Sequence, residues 1–251
     1  MIRGLSVGVC LPCRNEAAHL GEVIATLPDF VDEVVVVSNC SSDDTVRVAR
    51  DLGVRVIEDD RTVRGIGYGF AHMSGIAACR SDIVVAADGD GSYPLEDIGR
   101  LVEHLLERDL DFVSCNRYPL RDGTSIPWSL RVGVGLLNLE VRLLYGFRLR
   151  DTLSGMWVFR RDVWPVLGAD MGDWNFSPEI KLRAAVHPAV RFGETGIVQH
   201  QRQGVSHQRY LRTGFSHAWW IVRHRFGAGA PSTVRVSVPV ATLAADEVDV
   251  A

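Results

Sequence analysis

Glu33-Val-Val-Val-Val37-Ser-Asn-Cys-Ser-Ser-Asp-Asp-Thr45 opens as a β-strand and closes as the start of a helix. A strand with one wet face would alternate apolar and polar residues. Four consecutive valines instead predict a strand covered on both faces, as in a parallel sheet between two helical layers. Behind the strand, Ser41 and Ser42 offer N-caps. Thr45, Val48, Ala49 and Leu52 then share one helical face, and Gly53 supplies a stop.

The same unit recurs in both directions from this stretch. Upstream, Leu5 to Leu11 is apolar and β-prone, and Leu20, Val23, Ile24 and Leu27 follow at helical spacing. Downstream come a strand from Val54 to Ile57, a helix from Gly67 to Cys79 and a strand from Ile83 to Ala87. A helix marked by Ile98, Leu101, Val102 and Leu105 and a strand from Asp111 to Cys115 complete the series. Strands alternating with helices predict an α/β fold with a doubly wound, mostly parallel sheet flanked by helices, a Rossmann-like nucleotide-binding architecture. Further helices are expected from Ser129 to Tyr145, from Arg161 and from Ser177-Pro178, with a short strand from Met156 to Phe159. Residues 1–227 read as a single domain, and 228–251, rich in Ala and Val without turn or cap logic, as a partly disordered tail.

Bulk composition narrows the function. A net charge of −4 over 251 residues gives no basic excess for nucleic acid. The five cysteines include one CxxC, Cys10 to Cys13, with no second pair to complete a four-thiolate zinc site, so buried free thiols in a reducing cytoplasm are expected. Lys181 is the only lysine, which argues against Schiff-base chemistry. The most apolar segment, Trp128 to Gly146, is interrupted by Arg131, Glu140 and Arg142, so no membrane span is expected, and with a strand pattern this early no leader is expected either.

Ligands of such sheets bind beyond the carboxyl ends of the strands. Three of those ends carry suspicious residues. Asp88-Gly89-Asp90-Gly91 follows the fourth strand, and two carboxylates one residue apart on a strand-end turn suit a hard cation such as Mg²⁺ or Mn²⁺ shared with substrate phosphates. A second such pair, Asp109-Leu-Asp111, precedes its strand and lies at the opposite end of the sheet. Asn39 ends the valine strand and is expected to face the same crevice while Ser42 and Asp43 cap the helix. Pro12-Cys-Arg14-Asn-Glu16 ends the first strand.

Pro12-x-x-Asn15-Glu16, the valine stretch, Gly67-Tyr-Gly69, Ala87-Asp-Gly-Asp-Gly-Ser-Tyr-Pro-Leu-Glu-Asp-Ile98 and Asp151-Thr-Leu-Ser-Gly155 occur in an order and spacing that resemble family 2 glycosyltransferases of GT-A fold. The branch most similar is that of the dolichyl- and polyprenyl-phosphate sugar synthases. The resemblance spans about residues 5–210. It implies an inverting, metal-dependent transfer from a UDP- or GDP-linked sugar to a polyprenyl phosphate. Residues 1–117 would form the donor half and 118–227 the acceptor half. Pro12, Arg14, Glu16 and Asn39 would line the nucleotide pocket, Asp88 and Asp90 would hold Mg²⁺ or Mn²⁺, and Arg202 would close over the diphosphate. Arg117, Arg131 and Ser154 would grip the acceptor phosphate. Departures from the family pattern are Ser38 in place of an aspartate, Ser92 in place of an amide side chain, and His207 in place of a lysine.

Two other readings stay open on the sequence. A soluble hydroxyl acceptor would need a general base, for which Asp151 is the candidate unless it only bonds its own turn. A sugar-nucleotide-binding protein without turnover is the reading outside catalysis. Tyr210, Phe215, Trp219, Trp220 and Phe226, interleaved with Arg209, Arg212, Arg223 and Arg225, form a helix with two readings. It either packs on the domain or lies in the headgroup region at the inner face of a membrane.

Overall fold

In the computed structural model, residues 1–118, 120, 126–201 and 210–227 are described. Arg202, His207, Arg209 and the 228–251 segment lie outside them. Seven strands form one sheet: β1 (Val7–Cys13), β2 (Glu33–Ser38), β3 (Arg55–Glu58), β4 (Ile83–Ala86), β5 (Phe112–Asn116), β6 (Trp157–Arg160) and β7 (Phe192–Gly196). Their order is β3-β2-β1-β4-β6-β5-β7. All neighbours run parallel except β6, which is antiparallel to both β4 and β5.

The valine strand behaves as its composition requires. Val35, Val36 and Val37 are fully buried. Val35 and Val37 enter one apolar cluster and Val36 the other. Helices α1 (Leu20–Ala25), α2 (Thr45–Asp51) and α4 (Ile98–Glu107) cover the face of Val36. The opposite face is covered by α3 (Tyr68–Ala78), α5 (Trp128–Tyr145), α6 (Trp164–Leu167), α7 (Phe176–Val186) and α8 (Tyr210–Phe226). All four apolar residues expected on α4 are buried.

Register places the site. Cys13 stands opposite Ser38, Ser38 opposite Glu58, and Cys10 opposite Ala86. The carboxyl ends of β1, β2 and β4 therefore lie along one edge of the sheet, and the segments that follow them meet there.

Three local expectations need correction. Strand β7 has no sequence counterpart above, because Gly193, Glu194 and Gly196 blur its pattern; it takes the sheet edge beside β5. The helix expected from Arg161 shrinks to a 3-10 turn and the four residues of α6, stopped by Gly168 at φ 59°. Ser42 does not cap α2. Its backbone N–H donates to Asn15 Oδ1 at 2.7 Å, which ties the ends of β1 and β2 together, while Asp43 Oδ1 accepts from the Thr45 N–H at 3.0 Å.

Candidate active site

Two adjoining cavities of about 250 and 170 Å³ open at this edge. Asp88, Asp90, Tyr68 and Trp174 line both, so the strand-end aspartates stand at the junction. The turn that carries them depends on two glycines. Gly91 has φ 73°, and a Cβ on Gly89 would fall 2.4 Å from Cys13 Sγ. Asp90 is buried, and its Oδ1 accepts from the Ser92 N–H at 3.0 Å and from the Ser92 hydroxyl at 2.5 Å. Asp88 is 27% exposed and lies 3.4 Å from Nε2 of the fully buried His72. Tyr68 packs against Trp174 with ring centres 4.7 Å apart, forming a wall between the cavities.

The larger cavity collects every strand-end residue singled out for the nucleotide that lies in the described chain: Pro12, Arg14, Glu16 and Asn39, with Asp88 and Asp90. Arg14 is held there by donating from Nη1 to the Gly65 carbonyl at 2.9 Å. Asn39 is less free than expected. Its amide nitrogen donates to the carbonyls of Asp59 and Arg61, so it secures the segment after β3 while its side chain lines the cavity.

The smaller cavity is lined largely by polar and aromatic side chains, with one short aliphatic stretch. Arg117 lies on it with Ile126, Pro127, Leu130 and Leu153. The guanidinium is 7% exposed and is clamped by Asp151, which accepts from Nε at 2.6 Å and from Nη2 at 2.9 Å; Nη1 takes no part in this pair. Asp151 is fully buried and also accepts from the Arg117 and Leu153 N–H groups at 3.2 and 3.1 Å. Burial alone would raise its pKa, but Arg117 and Lys181 outweigh burial and hold the carboxyl below the usual range. A buried carboxylate with both oxygens engaged and a lowered pKa is a poor proton acceptor, so the base role for Asp151 is withdrawn.

Two further residues expected at the acceptor phosphate lie off the cavity lining. Ser154 is fully buried, its hydroxyl taken up by Lys181 Nζ at 2.9 Å, and it does not line the cavity. Arg131 is exposed on the first turn of α5, outside the lining. Of the three residues expected around an acceptor phosphate, only Arg117 reaches the cavity. The Asp109–Asp111 pair binds Arg191 at the far end of the sheet, with Asp111 bridging it at 2.7 Å, in a purely structural arrangement.

Sequence reasoning missed part of the lining. His217 on α8, Gln199 and His200 also face the smaller cavity. His217 pairs through Nδ1 with Asn175 Oδ1 at 2.9 Å, and burial next to Lys181 lowers its pKa to about 4, so the ring is neutral. Lone histidines on an aromatic helix give no signal in one sequence. All five cysteines are free, and four are buried. Among the described residues no group of three or more His, Cys, Asp or Glu could hold a metal.

No helix of the described residues is long and apolar enough to cross a membrane. Helix α8 both packs and projects. Ile221 and His217 are buried and Arg225 Nε donates to the Leu144 carbonyl of α5, while Leu211, Phe215 and Trp219 are exposed.

Comparison with known proteins was made against this geometry. The family model described as Glycosyl transferase family 2 matches residues 8–167. The low-salt glycan biosynthesis hexosyltransferase of Haloferax volcanii is 27% identical over 84% of this chain, and the chain spans only 52% of that protein's length. The dolichyl-phosphate hexose transferase of the same organism is 28% identical, covering 79% of this chain and 84% of its own length. Among solved structures, glucosyl-3-phosphoglycerate synthase from Mycobacterium tuberculosis, in complex with Mn²⁺, UDP-glucose and phosphoglyceric acid, superposes with a TM-score of 0.67. That match has 22% identity, covers 88% of this chain and 80% of the other, and establishes likeness of fold.

Proposed function

The chain belongs to glycosyl transferase family 2 and is a glycosyltransferase, and from that premise we propose that it transfers a sugar from a nucleoside-diphosphate donor to the phosphate of a polyprenyl phosphate, with inversion at the anomeric carbon. One observation carries this reading. The two aspartates stand between a cavity lined by Pro12, Arg14, Glu16 and Asn39 and a second, more polar cavity that also holds one clamped guanidinium and the aliphatic side chains of Ile126, Pro127, Leu130 and Leu153. A lipid phosphate needs that combination, a cation for its head and apolar surface for its first isoprene units.

Asp88 and Asp90 would hold a Mg²⁺ or Mn²⁺ ion on the donor diphosphate, where it supplies neutralisation of charge on the departing nucleoside diphosphate. Their hard oxygen donors, on a turn that lines both cavities, fit that ion. Arg117 orients the acceptor phosphate so that one of its oxygens forms the new bond to the anomeric carbon while the bond to the diphosphate oxygen breaks. A phosphate monoester is already anionic near neutral pH, so no general base is required, which agrees with Asp151 being locked in an ion pair. Tyr68 and Trp174, which line both cavities, flank the transfer path.

The acceptor reading also gives a use to the exposed faces of α5 and α8. Trp128, Leu136 and Leu143 on α5 and Leu211, Phe215 and Trp219 on α8 are between 62 and 81% exposed. Both helices also contribute to the smaller cavity, through Leu130 and Tyr210. We read this face as the contact with the lipid surface that presents the acceptor. Transfer to polyprenyl phosphate in the presence of Mn²⁺, compared between the parent chain and Arg117→Ala, tests the acceptor assignment. A strong rise in acceptor KM with donor affinity unchanged is expected, and a loss of donor binding alone would move Arg117 to the diphosphate.

A further inference from the structure

Lys181, the single lysine of the chain, lies in the middle of α7 with no exposed surface. A buried ammonium is costly unless all its protons are matched. Its Nζ donates to the Asp151 carbonyl at 2.8 Å and to the Ser154 hydroxyl at 2.9 Å. These acceptors are the first and last residues of the Asp151–Ser154 turn, so one side chain ties both ends of that turn to α7. Two more bonds secure the same segment. Ser177, one helical turn earlier on α7, donates its hydroxyl to the Ser154 carbonyl at 3.0 Å, and Glu194 on β7 accepts from the Arg150 N–H at 2.9 Å.

The turn matters because of what its first residue holds. Asp151 grips Arg117 through Nε, Nη2 and the backbone N–H. A guanidinium pinned on two nitrogens cannot rotate about its stem, and its direction is that of the carboxylate beneath it. The chain of contacts therefore runs from α7 through the turn to the one cation on the smaller cavity among the predicted acceptor residues. Lys181 touches neither cavity.

We propose that Lys181 is a positioning residue for the acceptor site: by tying the Asp151–Ser154 turn to α7 it fixes the Asp151 carboxylate, and so the direction in which Arg117 presents its uncommitted N–H groups to an acceptor phosphate. This deepens the reading of Arg117 as the phosphate-binding residue and rests on it. The gain is preorganisation. An arginine held in its bound direction loses little freedom when the phosphate arrives. Charge supports the arrangement as well. Burial pulls the Lys181 ammonium toward neutrality, and the Asp151 carboxylate beside it opposes this. An apolar residue in its place would leave the Asp151 carbonyl and Ser154 hydroxyl buried without that donor.

The test is a binding measurement on the full chain loaded with UDP and Mn²⁺, with geranylgeranyl phosphate as the acceptor probe and tryptophan fluorescence as the signal. Lys181→Met should weaken probe binding roughly tenfold, the equivalent of about 1.4 kcal/mol, and Ser154→Ala by a smaller factor. UDP affinity by calorimetry should stay within twofold in both, which a general loss of folded protein would not allow. In an Arg117→Ala background, where the clamped group is gone, Lys181→Met or Ser154→Ala should weaken the probe no further. Should Lys181→Met fail to fold, Ser154→Ala in the two backgrounds carries the test. If Arg117→Ala weakens the probe while Lys181→Met and Ser154→Ala do not, the positioning role is overturned and the phosphate reading stands. Equal losses in both backgrounds also overturn it. If Arg117→Ala itself leaves probe affinity level, the phosphate reading falls and takes this role with it.

Discussion

Replacing Asp151 by Asn separates its two conceivable roles. In the structure the carboxylate is fully buried and serves four donors: Arg117 Nε, Nη2 and N–H, and the Leu153 N–H. The substitution keeps one acceptor oxygen but removes the charge and turns the other oxygen into a donor facing Arg117. Breaking one side of a buried ion pair costs about 3–5 kcal/mol, because the remaining charge is left buried without its partner. For a domain of this size each kcal/mol lowers Tm by about 2–4 °C, so a fall of roughly 10 °C is expected. Differential scanning calorimetry of Asp151→Asn, Arg117→Met and the double variant measures it. The double variant should recover much of the loss, since two apolar or neutral groups then replace an orphaned charge. Donor binding in Asp151→Asn should persist at temperatures where the variant is folded. A variant of parent stability, within about 0.5 kcal/mol, with abolished turnover would refute the clamp and restore Asp151 as a base.

Four further outcomes follow from the geometry. Asp90→Asn should abolish Mn²⁺-dependent UDP binding by calorimetry with only a small change in Tm, because the amide can still accept from Ser92. Asp111→Asn should show the reverse, unaltered UDP affinity with a stability loss of about 1 kcal/mol, since its Arg191 partner is 42% exposed and solvent weakens the pair. His217 makes the fold acid-sensitive. Its folded pKa of about 4 lies below the unfolded value near 6.5, so the unfolded chain binds more protons between these values. That stability is complete above about pH 6.5 and is lost progressively down to about pH 4, amounting to about 3 kcal/mol; denaturant midpoints of His217→Gln should fall less steeply with acidification than those of the parent. Finally, Leu136→Glu with Phe215→Glu should abolish co-sedimentation with anionic liposomes while leaving UDP affinity unchanged, and equal sedimentation would show that the α5–α8 face does not meet lipid.

The sheet and the lining of the larger cavity were legible in the sequence because their signals are local. The four valines announced two-sided burial, and strand ends are where a parallel sheet displays its ligand residues, so Arg14, Glu16, Asn39, Asp88 and Asp90 could be placed on one crevice from periodicity and position, with Pro12 added by the family resemblance. The smaller cavity was not, because its members come together only through long-range packing. Arg117 and Asp151 are 34 residues apart and Ser154 and Lys181 are 27 apart, and nothing in either neighbourhood says that one will neutralise the other. The polar groups of the DTLSG segment turn inward to hold an arginine and a lysine. β7 escaped for a different reason. Its glycines carry no β signal, and it is a strand only because β5 offers a free edge.

Incubating the protein with Mn²⁺, a polyprenyl phosphate and a panel of UDP- and GDP-sugars, followed by mass spectrometry and NMR of the lipid fraction, tests the central claim most directly. A single sugar joined to the lipid through its phosphate, with the anomeric configuration opposite to that of the donor and no product when Mn²⁺ is chelated, is the outcome predicted. Donor consumed only to free sugar, or a sugar attached at a hydroxyl group with the lipid phosphate unmodified, would contradict it.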